Sequence, residues 1–198
     1  MDLKPLSIRL GLQTPATLLV PRSCRTVFVE TLGVVGLASL TLAGAHIRIP
    51  IEPVPITLQT LFVLLAGALA GSFRGFLSQT LYVTAGLLGV PLFAGAVTGL
   101  AALSGPTGGY LAGFMLAPFV VGTLIHRRAG FPWALLVFSI GALMILALGV
   151  LHLALFYTRD VWTAIEVGLL PFAVGDAAKV FAAASIYGSY TRFRSRGR

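Results

Sequence analysis

Charge is what this sequence has least of. Only 10% of its 198 residues are Asp, Glu, Lys or Arg, where a soluble domain carries roughly 25%. Set beside 57% hydrophobic residues, that scarcity excludes an ordinary water-soluble fold. Cysteine is nearly absent as well. Cys24 stands alone, so no internal disulfide can form and no cysteine cluster is available to a metal. The three histidines, His46, His126 and His152, are far apart, and no metal site is expected. Motifs of catalysis are missing too. There is no Gly-x-Ser-x-Gly, no His-Glu-x-x-His and no Gly-x-x-x-x-Gly-Lys-Ser/Thr, so neither a hydrolase nor a self-contained ATPase is expected. Acidic residues number 6 against 14 Lys and Arg, a net charge of +8. In a soluble chain that excess would suggest nucleic acid; in one this apolar it is read as a topology signal, with no nucleic-acid partner.

Long apolar runs are what the chain does have. At about 1.5 Å per helical residue, roughly 20 residues cross a bilayer's hydrocarbon core. Runs at residues 27–46, 57–70, 76–90, 110–125, 131–157 and 167–190 predict an all-α integral membrane protein with six transmembrane helices. Pro50, Pro53 and Pro55 stop the first run, because each lacks an amide donor and restricts the residue before it. Residues 71–75, Gly-Ser-Phe-Arg-Gly, separate the second run from the third. Residues 92–109, small and Gly-rich with Gly105-Pro106-Thr107-Gly108-Gly109, predict a loop. Irregular backbone at membrane depth is tolerated where it is buried or lines a cavity, so this loop is a candidate wall, and gate, of a binding site.

Residues 1–26 form a basic N-terminal tail with Lys4, Arg9, Arg22 and Arg25 against Asp2, cytoplasmic or else presequence-like. Residues 27–190 form the membrane domain and residues 191–198 a second basic tail. Six spans put both termini on one side. With that side cytoplasmic, all of the 14 basic residues lie there except Arg48, Arg159 and Lys179, as the positive-inside rule requires.

Ionisable groups within a span cost about 2.5–3.5 kcal/mol even on the lenient insertion scale, so a span that keeps one generally uses it. Asp176 and Lys179 lie within the sixth run at i, i+3, on one helix face. They neutralise each other, or they face a small molecule bearing both N–H groups and a carboxylate. Gly175, Ala177, Ala178 and Ala182 around them allow close approach of a backbone or ligand. Gln79 and Tyr82, also i, i+3, serve interhelical hydrogen bonding or a ligand. Thr57 and Gln59 cap the second helix or do the same.

Four segments in order carry a resemblance: Pro53-Val54-Pro55-Ile56-Thr57-Leu58-Gln59-Thr60; Ser78-Gln79-x-x-Tyr82 followed by Gly86-Leu87-x-Gly89-x-Pro91-x-Phe93-Ala94; Gly105-Pro106-Thr107-Gly108-Gly109-Tyr110; and Pro171-Phe172-x-x-Gly175-Asp176-x-x-Lys179. Over roughly residues 34–190 the chain resembles the BioY family, the biotin-binding S components of energy-coupling factor (ECF) transporters. The resemblance implies a six-helix bundle in a bacterial inner (plasma) membrane. It also implies biotin as ligand near the extracellular side, with no cofactor and no chemistry of its own. The implied partners are a transmembrane coupling subunit and two ATPase subunits; a solitary biotin permease remains the alternative. It makes Asp176 and Lys179 substrate-binding residues, with Gln79, Tyr82, Gln59 and Thr57 as polar companions and Phe93 and Tyr110 as apolar walls. Gly95 stands where some relatives place a polar side chain. Ser39 and Ala43, a small-x-x-x-small pair on the first helix, are the candidate contact for the coupling subunit, or else serve internal packing.

Overall fold

The computed structural model describes residues 24–95, 98–128 and 130–196; most of the expected N-terminal tail lies outside the described residues. Eight α-helices carry the described chain: α1 (Cys24–His46), α2 (Gln59–Ala70), α3 (Ser72–Leu87), α4 (Ala101–Ser104), α5 (Gly108–Leu124), α6 (Phe131–His152), α7 (Val161–Gly168) and α8 (Ala173–Arg196). A π-turn at Leu153–Tyr157 extends α6, and a 3-10 turn at Leu170–Phe172 precedes α8. Among the described residues, four stretches are long and apolar enough to cross a membrane: Thr26–His46, Gly108–Arg127, Phe131–Tyr157 and Val161–Arg196; α2 is a shorter apolar helix. Large apolar side chains on the outside, such as Leu32, Leu143 and Phe181, suit lipid and not water.

Three boundaries differ from the sequence expectation. The break between the second and third runs is a single residue, Gly71, at φ +87°, and Ser72-Phe73-Arg74-Gly75 already belong to α3. A positive φ supplies the reversal that five residues were expected to provide. Residues 92–109 are not wholly loop, because α4 interrupts them and α5 starts at Gly108. The last run, 167–190, is interrupted by the turn carrying Pro171, since proline cannot donate in a helix interior. Its first two residues end α7, which starts earlier at Val161, and α8 carries the remainder. Asp160 caps α7, its carboxylate accepting from the Thr163 N–H at 2.7 Å.

The proline-rich stretch does more than stop a helix. β1 (Arg48–Ile49) and β2 (Ile56–Thr57) pair antiparallel, Arg48 opposite Thr57, and the hairpin folds Val54 inward to 4% exposure. α5 is central, packed against α2, α3 and α6, with α8 laid on α6 and α2. One buried cluster, including Tyr82, Phe93, Tyr110, Phe114 and Phe172, gathers beneath the hairpin; a second, including Leu64, Val121 and Phe138, fills the other end. An ion pair between Arg74 and Glu30 ties the start of α3 to the first half of α1, so the α2–α3 turn and the N-terminal end of α1 share one end of the bundle.

Gly71→Ala forces an L side chain onto a backbone at φ +87°, ψ 171°, which essentially only glycine adopts. A loss of about 1–3 kcal/mol is expected, read as a lower midpoint in thermal unfolding of detergent-solubilised protein; an unchanged midpoint contradicts the turn geometry.

Candidate functional site

Beneath the hairpin lies a cavity with about 560 Å³ of space free of atoms, its open mouth included. Its walls come from the hairpin and its exit (Val54, Pro55, Thr57), from α2 (Gln59, Thr60), from the segment after α3 (Phe93, Ala94), from α5 (Tyr110, Leu111, Phe114), from α6 (Ile145, Leu146) and from the turn and start of α8 (Phe172, Asp176, Lys179). Thr107, in the expected loop wall, also lines it. A second hollow, containing Arg48, Glu52 and Tyr157, lies beside the first and shares Pro55, Ala94 and Thr107 with it.

The charged pair lies in the cavity wall. Lys179 Nζ donates to Asp176 Oδ1 at 2.7 Å, with the residues 8% and 5% exposed. The mutual neutralisation expected as one alternative is therefore formed. It is incomplete as hydrogen bonding: the ammonium has three donors and the carboxylate two oxygens, and neither side chain has another partner among the described residues. A buried pair with unused donors and acceptors against a cavity is placed to meet a ligand that supplies the complements.

A polar chain leads away from the cavity. Thr57 Oγ1 donates to Gln59 Oε1 at 3.0 Å, Gln59 Nε2 to the Tyr82 hydroxyl at 2.6 Å, and Tyr82 to the Leu92 carbonyl at 2.9 Å. Tyr82 is 1% exposed and outside the lining; it holds Gln59 in place and tethers the segment that presents Phe93. The Phe93 ring stands edge-on to Tyr82, centroids 5.7 Å apart. Its tip fits over Gly86, where a Cβ would come within 2.2 Å of Cζ. Thr57 Oγ1 also lies 3.4 Å from the Gln59 N–H at the start of α2, so it serves that helix end and the cavity together.

Tyr110 donates to the Gly168 carbonyl at 2.6 Å and packs on Phe172, centroids 5.9 Å apart. Its ring lies flush on Gly149 of α6, where an added Cβ would meet the ring at 2.3 Å.

Gln79 is not brought to the cavity. It is fully buried between α1 and α3, Nε2 donating to Thr41 Oγ1 at 3.0 Å and Ser78 Oγ at 3.2 Å, the interhelical alternative. The i, i+3 spacing with Tyr82 is real, but this face of α3 turns toward α1. Ser39 and Ala43 lie on the exposed face of α1, away from internal packing; Ser39 Oγ donates to its own helix at Val35. Phe114, Ile145 and Leu146 were not singled out from sequence; their helices are apolar on every side, which hides which face lines a cavity.

The chain matches the model of the BioY family over residues 19–196. It is 44% identical over 148 residues to the biotin transporter BioY of Thermotoga maritima, covering 75% of this chain and 87% of that protein. It is 41% identical over the same length, with the same coverage, to the probable biotin transporter BioY of Pyrococcus horikoshii. Its fold matches the crystal structure of an S component for biotin from an ECF-type ABC transporter, with a TM-score of 0.78 at 23% identity, over 86% of this chain and 95% of that one. These relatives are transporters and not enzymes. A family model and close relatives that each cover most of the sequence leave one assignment: this chain is a member of the BioY family.

Proposed function

We propose that the chain captures biotin in the cavity beneath the hairpin and serves as the substrate-binding S component of an ECF-type transporter in a bacterial inner membrane. The observation that carries this reading is the half-satisfied Asp176–Lys179 pair, the only charged groups in the described wall of the cavity. Biotin supplies ureido N–H groups for a carboxylate, a valerate carboxylate for an ammonium, and an apolar bicycle for Phe93, Tyr110 and Phe172. The names of the relatives support the same ligand. In this reading α1, α2, α3, α5, α6 and α8 are the six spans, and both termini are cytoplasmic. The Arg74–Glu30 pair and the basic end of α8 support that topology. The uncovered Ser39–Ala43 face of α1 supports docking of a coupling-subunit helix, since a Cβ placed at Gly33 or Gly36 would meet nothing within 4 Å. Two ATPase subunits complete the assembly, because the sequence carries no phosphate-binding loop of its own.

Calorimetric titration of the purified chain is expected to show tight binding of biotin and much weaker binding of biotin amide. Equal affinity for the amide would remove the pairing of Lys179 with the carboxylate. Uptake into vesicles is expected only when the coupling and ATPase subunits and ATP are present; uptake by the chain alone without ATP overturns the ECF reading in favour of a permease.

A further inference from the structure

The end of the bundle opposite the biotin cavity carries a concentration of positive charge that the capture function does not use. A cleft of about 1310 Å³, open mouth included, lies between the end of α5, the start of α6 and the last turns of α8; His126, Arg128 and Arg192 line it. A neighbouring lobe shares His126, Tyr187 and Thr191 and adds Arg194. None of these three arginines has a carboxylate partner among the described residues; the ion pairs there are Arg74–Glu30 and Lys179–Asp176. Arg128 is held ready: its guanidinium lies over the Trp133 ring, 5.1 Å from the centroid, and Trp133 is anchored by donating to the Leu124 carbonyl at 3.1 Å. Stacking leaves the edge donors of the guanidinium free for an anion. Ser185, Ser189 and Thr191 donate to their own helix, so the arginines are the charged donors lining the cleft.

The same α6–α8 seam also carries a separate apolar groove, with the Phe131 and Phe181 rings in contact across the seam, centroids 5.5 Å apart. One to three turns further along α6 and α8, a groove of about 1030 Å³, open side included, is lined by Leu135, Ser139 and Leu143 on one helix and Ala177, Val180 and Phe181 on the other. Its outer residues Leu143 and Phe181 are 61% and 59% exposed. The groove ends at Asp176 and Leu146, which also line the biotin cavity. From Ser185 to Asp176 the helix rises about 14 Å at about 1.5 Å per residue, close to half the roughly 30 Å hydrocarbon core.

A cationic cleft at a helix end, with an apolar groove one leaflet deep beyond it on the same seam, matches a single kind of guest. We infer that the α6–α8 seam binds one anionic phospholipid, its phosphate among Arg128, Arg192, Arg194 and His126 and one acyl chain along the groove toward the back of the biotin cavity. A free phosphate matches the cleft and leaves the groove unexplained. A zwitterionic lipid matches the groove and brings its own positive charge to a cleft already cationic.

Native mass spectrometry of the purified full chain tests this, with phosphatidylglycerol, phosphatidylcholine of the same acyl chains, and inorganic phosphate as separate titrants. One phosphatidylglycerol is expected to be retained, with phosphatidylcholine and phosphate retained weakly or not at all. Arg128→Gln/Arg192→Gln/Arg194→Gln is expected to weaken phosphatidylglycerol binding on the order of 100-fold, from about fivefold per basic residue at a charged bilayer surface. Its biotin affinity should be unchanged, which certifies the fold. Ser139→Trp, which fills the groove and keeps the charge, should weaken a long-chain phosphatidylglycerol and spare a dihexanoyl one. Equal retention of phosphatidylcholine, displacement of the lipid by equimolar phosphate, or wild-type lipid binding by the triple variant each overturns the inference. Absence of phosphatidylglycerol binding to the wild-type chain overturns it too, and leaves the arginines to an acidic face of a partner protein.

Discussion

Lys179→Ala is expected to weaken biotin binding by about 2–5 kcal/mol, about 30-fold to a few thousand-fold, and Asp176→Asn by a similar amount. In the proposed binding mode each truncation removes a contact to the ligand, and it also strands the partner charge in a wall where Lys179 and Asp176 are 8% and 5% exposed. The single variants therefore lose stability as well as affinity, and affinity loss alone would not separate a ligand role from a structural one. The double variant Asp176→Leu/Lys179→Met separates them. Replacing a buried pair by apolar groups of similar size is often neutral or stabilising, whereas breaking it is costly. The double variant should unfold at or above the wild-type midpoint and bind no measurable biotin by calorimetry. Wild-type affinity in that variant would show that the pair only neutralises itself, and the ligand assignment would fall with it.

The pair was legible in the sequence because charge is so scarce here: an acid and a base three residues apart in an apolar run stand out against lipid. Gln79 shows the limit of the same reasoning. Its spacing to Tyr82 placed both on one face of α3, but spacing names a face without naming what the face meets. The structure turns Gln79 to Thr41 of α1 and sends Tyr82 behind Gln59. The cavity lining was less legible still. Phe114, Ile145 and Leu146 lie on α5 and α6, helices apolar all round, where the contrast that reveals a buried stripe in a soluble protein is missing. The hairpin was hidden for a related reason. Pro50, Pro53 and Pro55 announce only where helix cannot continue, while the pairing of Arg48 with Thr57 is set by tertiary contact. At Gly71 one residue at positive φ suffices where five were expected, whereas Pro171 interrupts a run whose apolar composition hides the break.

Gly149→Ala is expected to damage both stability and capture, although it adds one methyl group to a residue outside the cavity lining. The new Cβ would lie 2.3 Å from the Tyr110 ring, well inside contact distance, so the ring or α6 must move. Neither yields easily. Tyr110 is 7% exposed, pinned by its hydroxyl to Gly168 and flanked by Phe172. α6 cannot back away without opening its seam with α5, where a Cβ at Gly109 would already lie 2.2 Å from the Leu148 carbonyl oxygen. Overpacking of this kind costs about 1–3 kcal/mol, and loss of the Tyr110–Gly168 bond adds about 1–3 kcal/mol for the buried groups left unpaired. Because Tyr110 walls the cavity, biotin affinity should fall in the same variant. A double-mutant cycle assigns the cause. In a Tyr110→Leu background, where the ring is gone, Gly149→Ala should cost less than half its effect on the thermal midpoint of the detergent-solubilised chain. If the cost is the same in both backgrounds, the close packing of Gly149 on Tyr110 is not what shapes this wall.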